Sequence, residues 1–216
     1  MITSIIWDID GTVVDTRASI AQAYAHVCTQ MGLQEDDYTR IYSFVGRRST
    51  LIFDEVHHLQ GDAFEEAMAL YGGFFQHTGI GLAKLYPGIG ELLSELRERG
   101  ATMTVASARG SAQLQMLFEA VGLADVFDFV RATETNRKAA DKPQLVRDCI
   151  AYMQVPAEAC VMIGDRIYDI EGGQKAGTRS IGVTYGFGTR EELLQCAPDR
   201  IVDDVPALRD ILLRGL

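Results

Sequence analysis

The hydrophobic positions of this chain follow a helical period in one long stretch and form short strand-like runs elsewhere. Between positions 16 and 82, apolar side chains recur every three or four residues, and no strand-like run interrupts them. The first repeat consists of Ile20, Tyr24, Val27, Cys28 and Met31. Gly32 then offers a helix end. This pattern predicts an all-helical segment of roughly 70 residues, which is enough for a small domain.

After Pro87 the pattern alternates between helical spacing and short apolar runs typical of buried strands. The strand-like runs are Met103–Ala106, Val126–Val130, Cys160–Ile163, Ser180–Thr184 and Arg200–Val202. Together with the apolar run Ile5–Trp7, they predict an α/β fold with a doubly wound parallel sheet. The helical segment would interrupt this sheet between its first and second strands. We therefore expect an α/β core domain of residues 1–15 and 83–216 and an inserted helical domain of residues 16–82.

Composition and charge narrow the class of protein. The chain has 216 residues, 47% of them hydrophobic, so it can bury a substantial core. Its formal net charge of -10 argues against nucleic-acid binding, which usually needs a basic surface. No apolar run is long enough to cross a membrane, and the four cysteines are scattered without a close pair. We expect a cytoplasmic protein, a monomer or homodimer, with neither nucleic acid nor membrane as a partner.

Two aspartates follow the first apolar run. Side chains alternate along a strand, so Asp8 and Asp10 lie on the same side of the backbone at the carboxyl end of a predicted buried strand. Open α/β sheets bind ligands at this end of their strands. Gly11 lets the chain turn sharply and bring backbone N–H groups close to an anion. An ordinary turn is the alternative interpretation, because Asp and Gly both favour chain reversals.

Three later stretches also place polar or charged residues at the ends of predicted strands or the starts of predicted helices. Residues 8–16 read Asp-x-Asp-Gly-Thr-x-x-Asp-Thr, Ser107 follows a strand-like run, Lys142 precedes Pro143 at a predicted helix start, and residues 164–169 read Gly-Asp-x-x-x-Asp. In this order the four stretches resemble the motifs of the haloacid dehalogenase superfamily of phosphohydrolases. The helical segment after the first motif is similar to the cap of the phosphoglycolate phosphatase and β-phosphoglucomutase group. Residues 164–193 look most like phosphoglycolate phosphatases and their small-nucleotidase relatives. The resemblance implies a Rossmann-like core with an inserted helical cap.

The resemblance also implies a phosphatase for small phosphate esters, either phosphoglycolate-like molecules or nucleoside monophosphates. Asp8 would attack phosphorus to form an aspartyl phosphate, and Asp10 would act first as general acid and then as general base. The residues expected to contact the phosphate are Gly11, Thr12, Ser107 and Lys142. The alternative is a phosphomutase of the β-phosphoglucomutase type, which hands the phosphoryl group to a sugar instead of water.

Acidic residues from two of these motifs point to a metal ion. Asp8, Asp165 and Asp169 would gather negative charge where a phosphate dianion must bind, and such a site needs a cation. Oxygen ligands with room for water and phosphate suit Mg²⁺. We expect the Asp8 and Asp165 side chains and the Asp10 carbonyl to hold Mg²⁺, while Asp169 orients Lys142 or a bound water.

Several basic residues leave alternatives open. Lys138 could be the functional lysine instead of Lys142, although the Lys-Pro pair favours Lys142, because a helix N-terminus attracts phosphate. Arg109 either contacts the substrate or is exposed at a helix start. Arg47 and Arg48 either bind a substrate carboxylate or belong to a solvated loop.

Overall fold

The computed structural model describes residues 2–47, 52–134 and 141–215, so Arg48 and Lys138 lie outside the described residues. The strands are β1 (Ser4–Trp7), β2 (Val14–Asp15), β3 (Lys84–Leu85), β4 (Thr102–Gly110), β5 (Phe129–Thr133), β6 (Val161–Gly164), β7 (Arg179–Val183) and β8 (Arg200–Val202). The α-helices are α1 (Arg17–Met31), α2 (Tyr38–Ser43), α3 (Gly61–His77), α4 (Ile89–Glu98), α5 (Ser111–Val121), α6 (Lys142–Met153), α7 (Ile167–Ala176), α8 (Arg190–Leu194) and α9 (Val205–Arg214). A π-helical turn covers Ile52–Val56, and 3₁₀ turns cover Gly79–Leu82 and Ala157–Ala159. Within these ranges, no helix has both the length and the apolar character needed to span a bilayer.

Six strands form one sheet in the order β5-β4-β1-β6-β7-β8, and all neighbouring pairs run parallel. Ile5 and Trp7 point to the face covered by α4, α5 and α9, whereas Ile6 packs with residues of α6 on the other face. All three side chains are fully buried, as expected for a strand covered on both faces. The predicted fold class, an α/β protein with a doubly wound parallel sheet, is confirmed.

The connections of the sheet diverge between β1 and β6. The chain passes from β1 to β4 and β5 on one side of the sheet, and from β6 to β7 and β8 on the other. This boundary is the topological switch point, where open α/β sheets bind ligands beyond the carboxyl ends of the strands. Asp8 directly follows β1, and Asp165 directly follows β6.

The helical segment leaves the sheet after β1 and returns through a two-stranded ribbon. In this ribbon β2 pairs antiparallel with β3, with Val14 opposite Leu85. Helices α1 to α3 bury a hydrophobic cluster around Tyr24 and Phe53, separate from the clusters against the sheet. α1 ends at Gly32 in the left-handed conformation, as the sequence predicts. The division into a core of residues 1–15 and 83–216 and a helical domain of residues 16–82 remains a prediction.

One strand differs from the expectation in a way that affects the site. β4 does not end near Ser107 but continues to Gly110, and its register against β5 shifts between these two residues. β5 begins at Phe129 rather than at Val126. Arg109 therefore lies in an extended strand, because α5 begins two residues later.

Candidate active site

Residues from the four predicted stretches meet at the carboxyl edge of the sheet. Asp8 and Asp165 follow β1 and β6, Ser107 lies in β4, and Lys142 and Asp169 belong to the first turns of α6 and α7. No more than 8% of any of these residues is exposed. The parallel strands and the helices that follow them thus bring side chains distant in sequence into one buried cluster.

Lys142 links two of the carboxylates. Its Nζ lies 2.7 Å from Asp8 Oδ1 and 2.6 Å from Asp169 Oδ1. Burial alone would lower the pKa of Lys142, but the charges of Asp169 and Asp8 outweigh it and raise that pKa. Lys142 is therefore held as a cation between Asp8 and Asp169.

The surroundings of Asp8 and Asp165 disfavour the charged forms of both carboxyl groups. Burial raises the pKa of Asp8 well above its usual range, and Asp169 and Asp165 raise it further, against the opposing effect of Lys142. Burial and the nearby Asp169 raise the pKa of Asp165 to about 7. One oxygen from each of Asp8, Asp165 and Asp169 lies within 4.8 Å of the others. This all-oxygen set fits a small hard cation such as Mg²⁺, which would relieve the repulsion.

A loop after β7 holds Asp165 in place. Asp165 Oδ2 accepts hydrogen bonds from the Phe187 N–H at 2.7 Å and from the Gly188 N–H at 3.4 Å. A Cβ on Gly186 would lie 2.4 Å from the Cβ of Asp165, and one on Gly188 would lie 1.9 Å from its carbonyl oxygen. Glycine is required at both positions because the loop passes directly against Asp165. Sequence reasoning missed this contact, although the glycines spaced two apart are a visible signal of close backbone approach.

The turn after Asp8 uses the groups that we expected to bind phosphate. The Gly11 N–H donates to the Val14 carbonyl at 2.9 Å, and Thr12 Oγ1 donates to Asp165 Oδ1 at 3.3 Å. Gly11 and Thr12 use these two donors to close the turn and to contact Asp165, and the expected contact of these residues with a phosphate remains a prediction. The Asp10 N–H has no hydrogen-bond acceptor in the described part of the chain, so it remains available to an anion.

Asp10 forms a buried ion pair with Arg109. Arg109 Nε lies 2.9 Å from Asp10 Oδ2, Arg109 Nη2 lies 2.5 Å from Asp10 Oδ1, and Thr16 Oγ1 donates to the same Oδ1 at 2.8 Å. Burial would raise the pKa of Asp10, but the charge and hydrogen bonds of Arg109 outweigh it and lower that pKa. The Arg109 guanidinium also lies over the Phe75 ring of α3, 4.4 Å from its centroid. The alternative of an exposed Arg109 at a helix start is thus wrong, since only 10% of its side chain is exposed.

A pocket of about 70 Å³ opens between these groups and the helical segment. From the sheet side it is lined by Asp8, Ser107 and Arg109, and from the helical side by Tyr71 and Arg47, among others. Arg47 is 39% exposed at its side chain, and its Nη2 lies 3.7 Å from Glu55 Oε1. Its side chain therefore reaches both the pocket and solvent.

Comparisons with known proteins agree with this geometry. Residues 5–183 match the family model of the haloacid dehalogenase-like hydrolases. A 5'-nucleotidase of Pseudomonas aeruginosa is 30% identical to this chain, and the match covers 97% of this chain and 95% of the relative. A phosphoglycolate phosphatase of Vibrio vulnificus is 26% identical, with the same two coverages. The crystal structure of a predicted phosphatase from Clostridium acetobutylicum superimposes with a TM-score of 0.87 at 29% identity and covers 99% of both chains. The resemblance seen in the motifs is confirmed: this chain belongs to the haloacid dehalogenase-like hydrolases.

Proposed function

We propose that this hydrolase is a Mg²⁺-dependent phosphatase that hydrolyses a small phosphate monoester through an aspartyl phosphate on Asp8. The observation that carries the proposal is the position of Asp8. It lies at the switch point, in the wall of the pocket, with Lys142 on one carboxylate oxygen at 2.7 Å and with Asp165 and Asp169 beside it. The family and the relatives named as a phosphatase and a nucleotidase support the assignment of this enzyme as a phosphoric monoester hydrolase.

The first half-reaction uses Asp8 as nucleophile. Lys142 occupies Asp8 Oδ1, and Oδ2 has no hydrogen-bond partner among the described residues, so it is the oxygen that attacks phosphorus. The bond from Asp8 to phosphorus forms while the bond from phosphorus to the ester oxygen breaks, and the leaving alkoxide takes the proton that Asp10 carries from the preceding turnover. Lys142, the Ser107 hydroxyl and the Asp10 N–H would hold the non-transferring phosphate oxygens.

The second half-reaction uses Asp10 as base. The contact with Arg109 holds Asp10 as a carboxylate, which is the form that takes a proton from the attacking water. Water then displaces Asp8 from phosphorus and inorganic phosphate leaves. In the following cycle the proton on Asp10 passes to the leaving alkoxide. While Asp10 carries this proton it is neutral and pairs less strongly with Arg109. The contact between Asp10 and Arg109 must therefore loosen until the proton is transferred.

The residues fit Mg²⁺ as the cofactor. The side chains of Asp8 and Asp165 and the carbonyl of Asp10 would hold the ion, and Asp169 would keep Lys142 in place through its 2.6 Å contact. When bound, Mg²⁺ supplies positive charge that balances the buried carboxylates and the phosphate.

The pocket indicates a small substrate. Its volume of about 70 Å³ and the wall formed by the loop 44–47 favour a short organic group beyond the phosphate. Arg47 on its wall would bind an anionic group at the far end of the ester, as in a phosphoglycolate-like substrate. The nucleotidase relative makes nucleoside monophosphates the second class to test. A cytoplasmic location, and a monomeric or homodimeric state, remain predictions.

The test is phosphate release from a panel containing phosphoglycolate, sugar phosphates and nucleoside monophosphates, with Mg²⁺ or with EDTA. We expect Mg²⁺-dependent release in the wild type, none in Asp8→Asn, and normal release in Asp210→Asn, a matched change at an exposed residue of α9. Conversion of a sugar phosphate to an isomer without free phosphate would identify the mutase instead. Release that persists in Asp8→Asn or in EDTA would refute the proposed mechanism.

A further inference from the structure

Arg166, which directly follows Asp165, reaches from the sheet to the helical segment. Its Nη2 donates to the Ser43 carbonyl at 3.1 Å, and its Nη1 donates to the Val45 carbonyl. Nη1 also lies 3.5 Å from the Tyr42 carbonyl. α2 ends at Ser43, so the guanidinium supplies the donors and the positive charge that favour a helix C-terminus.

Arg166 is itself fixed on the sheet side. Its Nε donates to Glu192 Oε1 at 2.8 Å, and the Ile167 N–H donates to the same oxygen at 2.9 Å. Only 7% of its side chain is exposed. Its backbone N–H donates at 3.0 Å to Asp169 Oδ2, and the other oxygen of Asp169 contacts Lys142. One residue thus joins the end of α2 to the carboxylate that holds Lys142.

The loop that follows α2 forms one wall of the pocket. All four residues of the loop 44–47 line it. A Cβ on Gly46 would lie 3.3 Å from Arg166 Cγ, so the loop packs on the aliphatic part of Arg166 as well as on its guanidinium. Moving Arg166 would therefore release this wall without changing any residue that touches phosphate.

We propose that Arg166 is a positioning residue: it holds the loop 44–47 over the substrate and thereby sets the affinity for the part of the ester beyond the phosphate. The planar guanidinium suits this task because it offers donors in fixed directions to two carbonyls and a carboxylate at once, whereas a lysine ammonium does not. The effect on substrate affinity rests on the proposed function, but the contact between Arg166 and the loop does not.

The direct test is amide hydrogen exchange of residues 38–47 in the wild type, Arg166→Met and Arg166→Lys. We expect this segment to exchange about tenfold faster in both variants, because each loses hydrogen bonds from a charged donor, while β1 exchanges as in the wild type. Arg190→Met is the matched control, since Arg190 pairs with exposed Asp203 and not with the loop. Unchanged exchange at 38–47 in both Arg166 variants, or equal acceleration in the control, would overturn the proposal. If Arg166→Met does not fold, Arg166→Lys decides the result.

Kinetics then separate positioning from general loss of stability. In Arg166→Met we expect KM for the best ester to rise about tenfold, while kcat and the inhibition constant of inorganic phosphate stay within about twofold. Equal weakening of ester and inorganic phosphate would place the effect at the phosphate site and overturn the proposal. If the wild type hydrolyses no ester, the proposed phosphatase function fails, and the exchange experiment still decides whether Arg166 holds the loop.

Discussion

Replacing Arg109 by methionine tests how strongly the site depends on the pair between Arg109 and Asp10. The substitution keeps an unbranched apolar stem but shortens the side chain and removes its charge and donors. Asp10 would keep its hydrogen bond from Thr16 and lose both contacts to the guanidinium. The exposed side-chain fractions of Arg109 and Asp10 are 10% and 13%, so water replaces the lost partner poorly.

The expected loss of stability follows from this burial. Breaking a buried ion pair by removing one partner costs about 3–5 kcal/mol, because a charge is left buried without compensation. We expect the lower end, about 3 kcal/mol, since the Thr16 hydroxyl still contacts Asp10. For a chain of this length, that loss corresponds to a fall of roughly 6–12 °C in Tm.

Urea denaturation at neutral pH measures the effect directly. The matched control is Arg131→Met, since Arg131 pairs with Asp148 at 2.6 Å but is 47% exposed, and such exposed pairs contribute about 0–1 kcal/mol. Combining Arg109→Met with Asp10→Asn should cost less than the sum of the single changes by about 2 kcal/mol or more, because the neutral amide no longer needs the cation. A loss in Arg109→Met no greater than that in the control would refute the reasoning.

The same variant makes a prediction about catalysis. Burial raises the pKa of Asp10, and the positive charge of Arg109 opposes this effect, so removal of Arg109 should raise that pKa. Because the proposed second half-reaction needs the Asp10 carboxylate, the acidic limb of the kcat profile should move to higher pH. An unmoved limb would exclude Asp10 as the base.

Three further predictions concern the phosphate site, the pocket wall and the metal. Lys142→Met should lower kcat by about 10²–10³-fold, because the phosphate oxygens would lose a cation. The control Lys175→Met, which removes an exposed ion pair with Glu171, should leave kcat unchanged. Full turnover in Lys142→Met would overturn the proposed role of Lys142. Arg47→Ala should raise KM by about tenfold with kcat nearly unchanged. This change corresponds to roughly 1.4 kcal/mol of binding free energy lost equally from the bound substrate and from the transition state. An unchanged KM would remove Arg47 from the substrate site. The metal prediction concerns Asp165, whose pKa is about 7 in the folded protein and about 3.9 in the unfolded chain. In EDTA, this difference stabilises the folded state fully below about pH 4, and the stabilisation is lost as the pH rises towards 7. Urea unfolding at about pH 5 and pH 7.5 should show this loss, and Mg²⁺ should stabilise the protein mainly at the higher pH; no added stability from Mg²⁺ at pH 7.5 would count against the metal site.

The fold and the main cluster were predictable because they follow from periodicity and topology. Short apolar runs alternating with helical spacing specify parallel strands, and the carboxyl ends of such strands meet at one edge. That rule is sufficient to bring Asp8, Ser107 and Asp165 together. Lys142 and Asp169 follow because the first turns of the next helices lie at the same edge.

The contacts made by long side chains were not predictable in the same way. Sequence spacing places the Cα of Arg109 and Arg166, but not the direction of a side chain with four rotatable bonds. Arg109 turns to Asp10 because β4 continues past Ser107, an extension that the apolar pattern does not show. Backbone donors are equally hidden, since the N–H of Gly11 is consumed by a turn whose closure depends on local geometry.

Charge balance connects these contacts to the metal. The site contains four buried or nearly buried carboxylates and two cations, which leaves two negative charges; the groups are Asp8, Asp10, Asp165, Asp169, Lys142 and Arg109. Burial and the neighbouring carboxylates raise the pKa values of Asp8 and Asp165, whereas Arg109 lowers the pKa of Asp10. These two side chains are the ones proposed to hold Mg²⁺, and a divalent ion would balance the difference. The pairing of Asp10 with Arg109 bears on the proposed metal site as well: because Arg109 neutralises Asp10, a bound Mg²⁺ would have to compensate only Asp8 and Asp165.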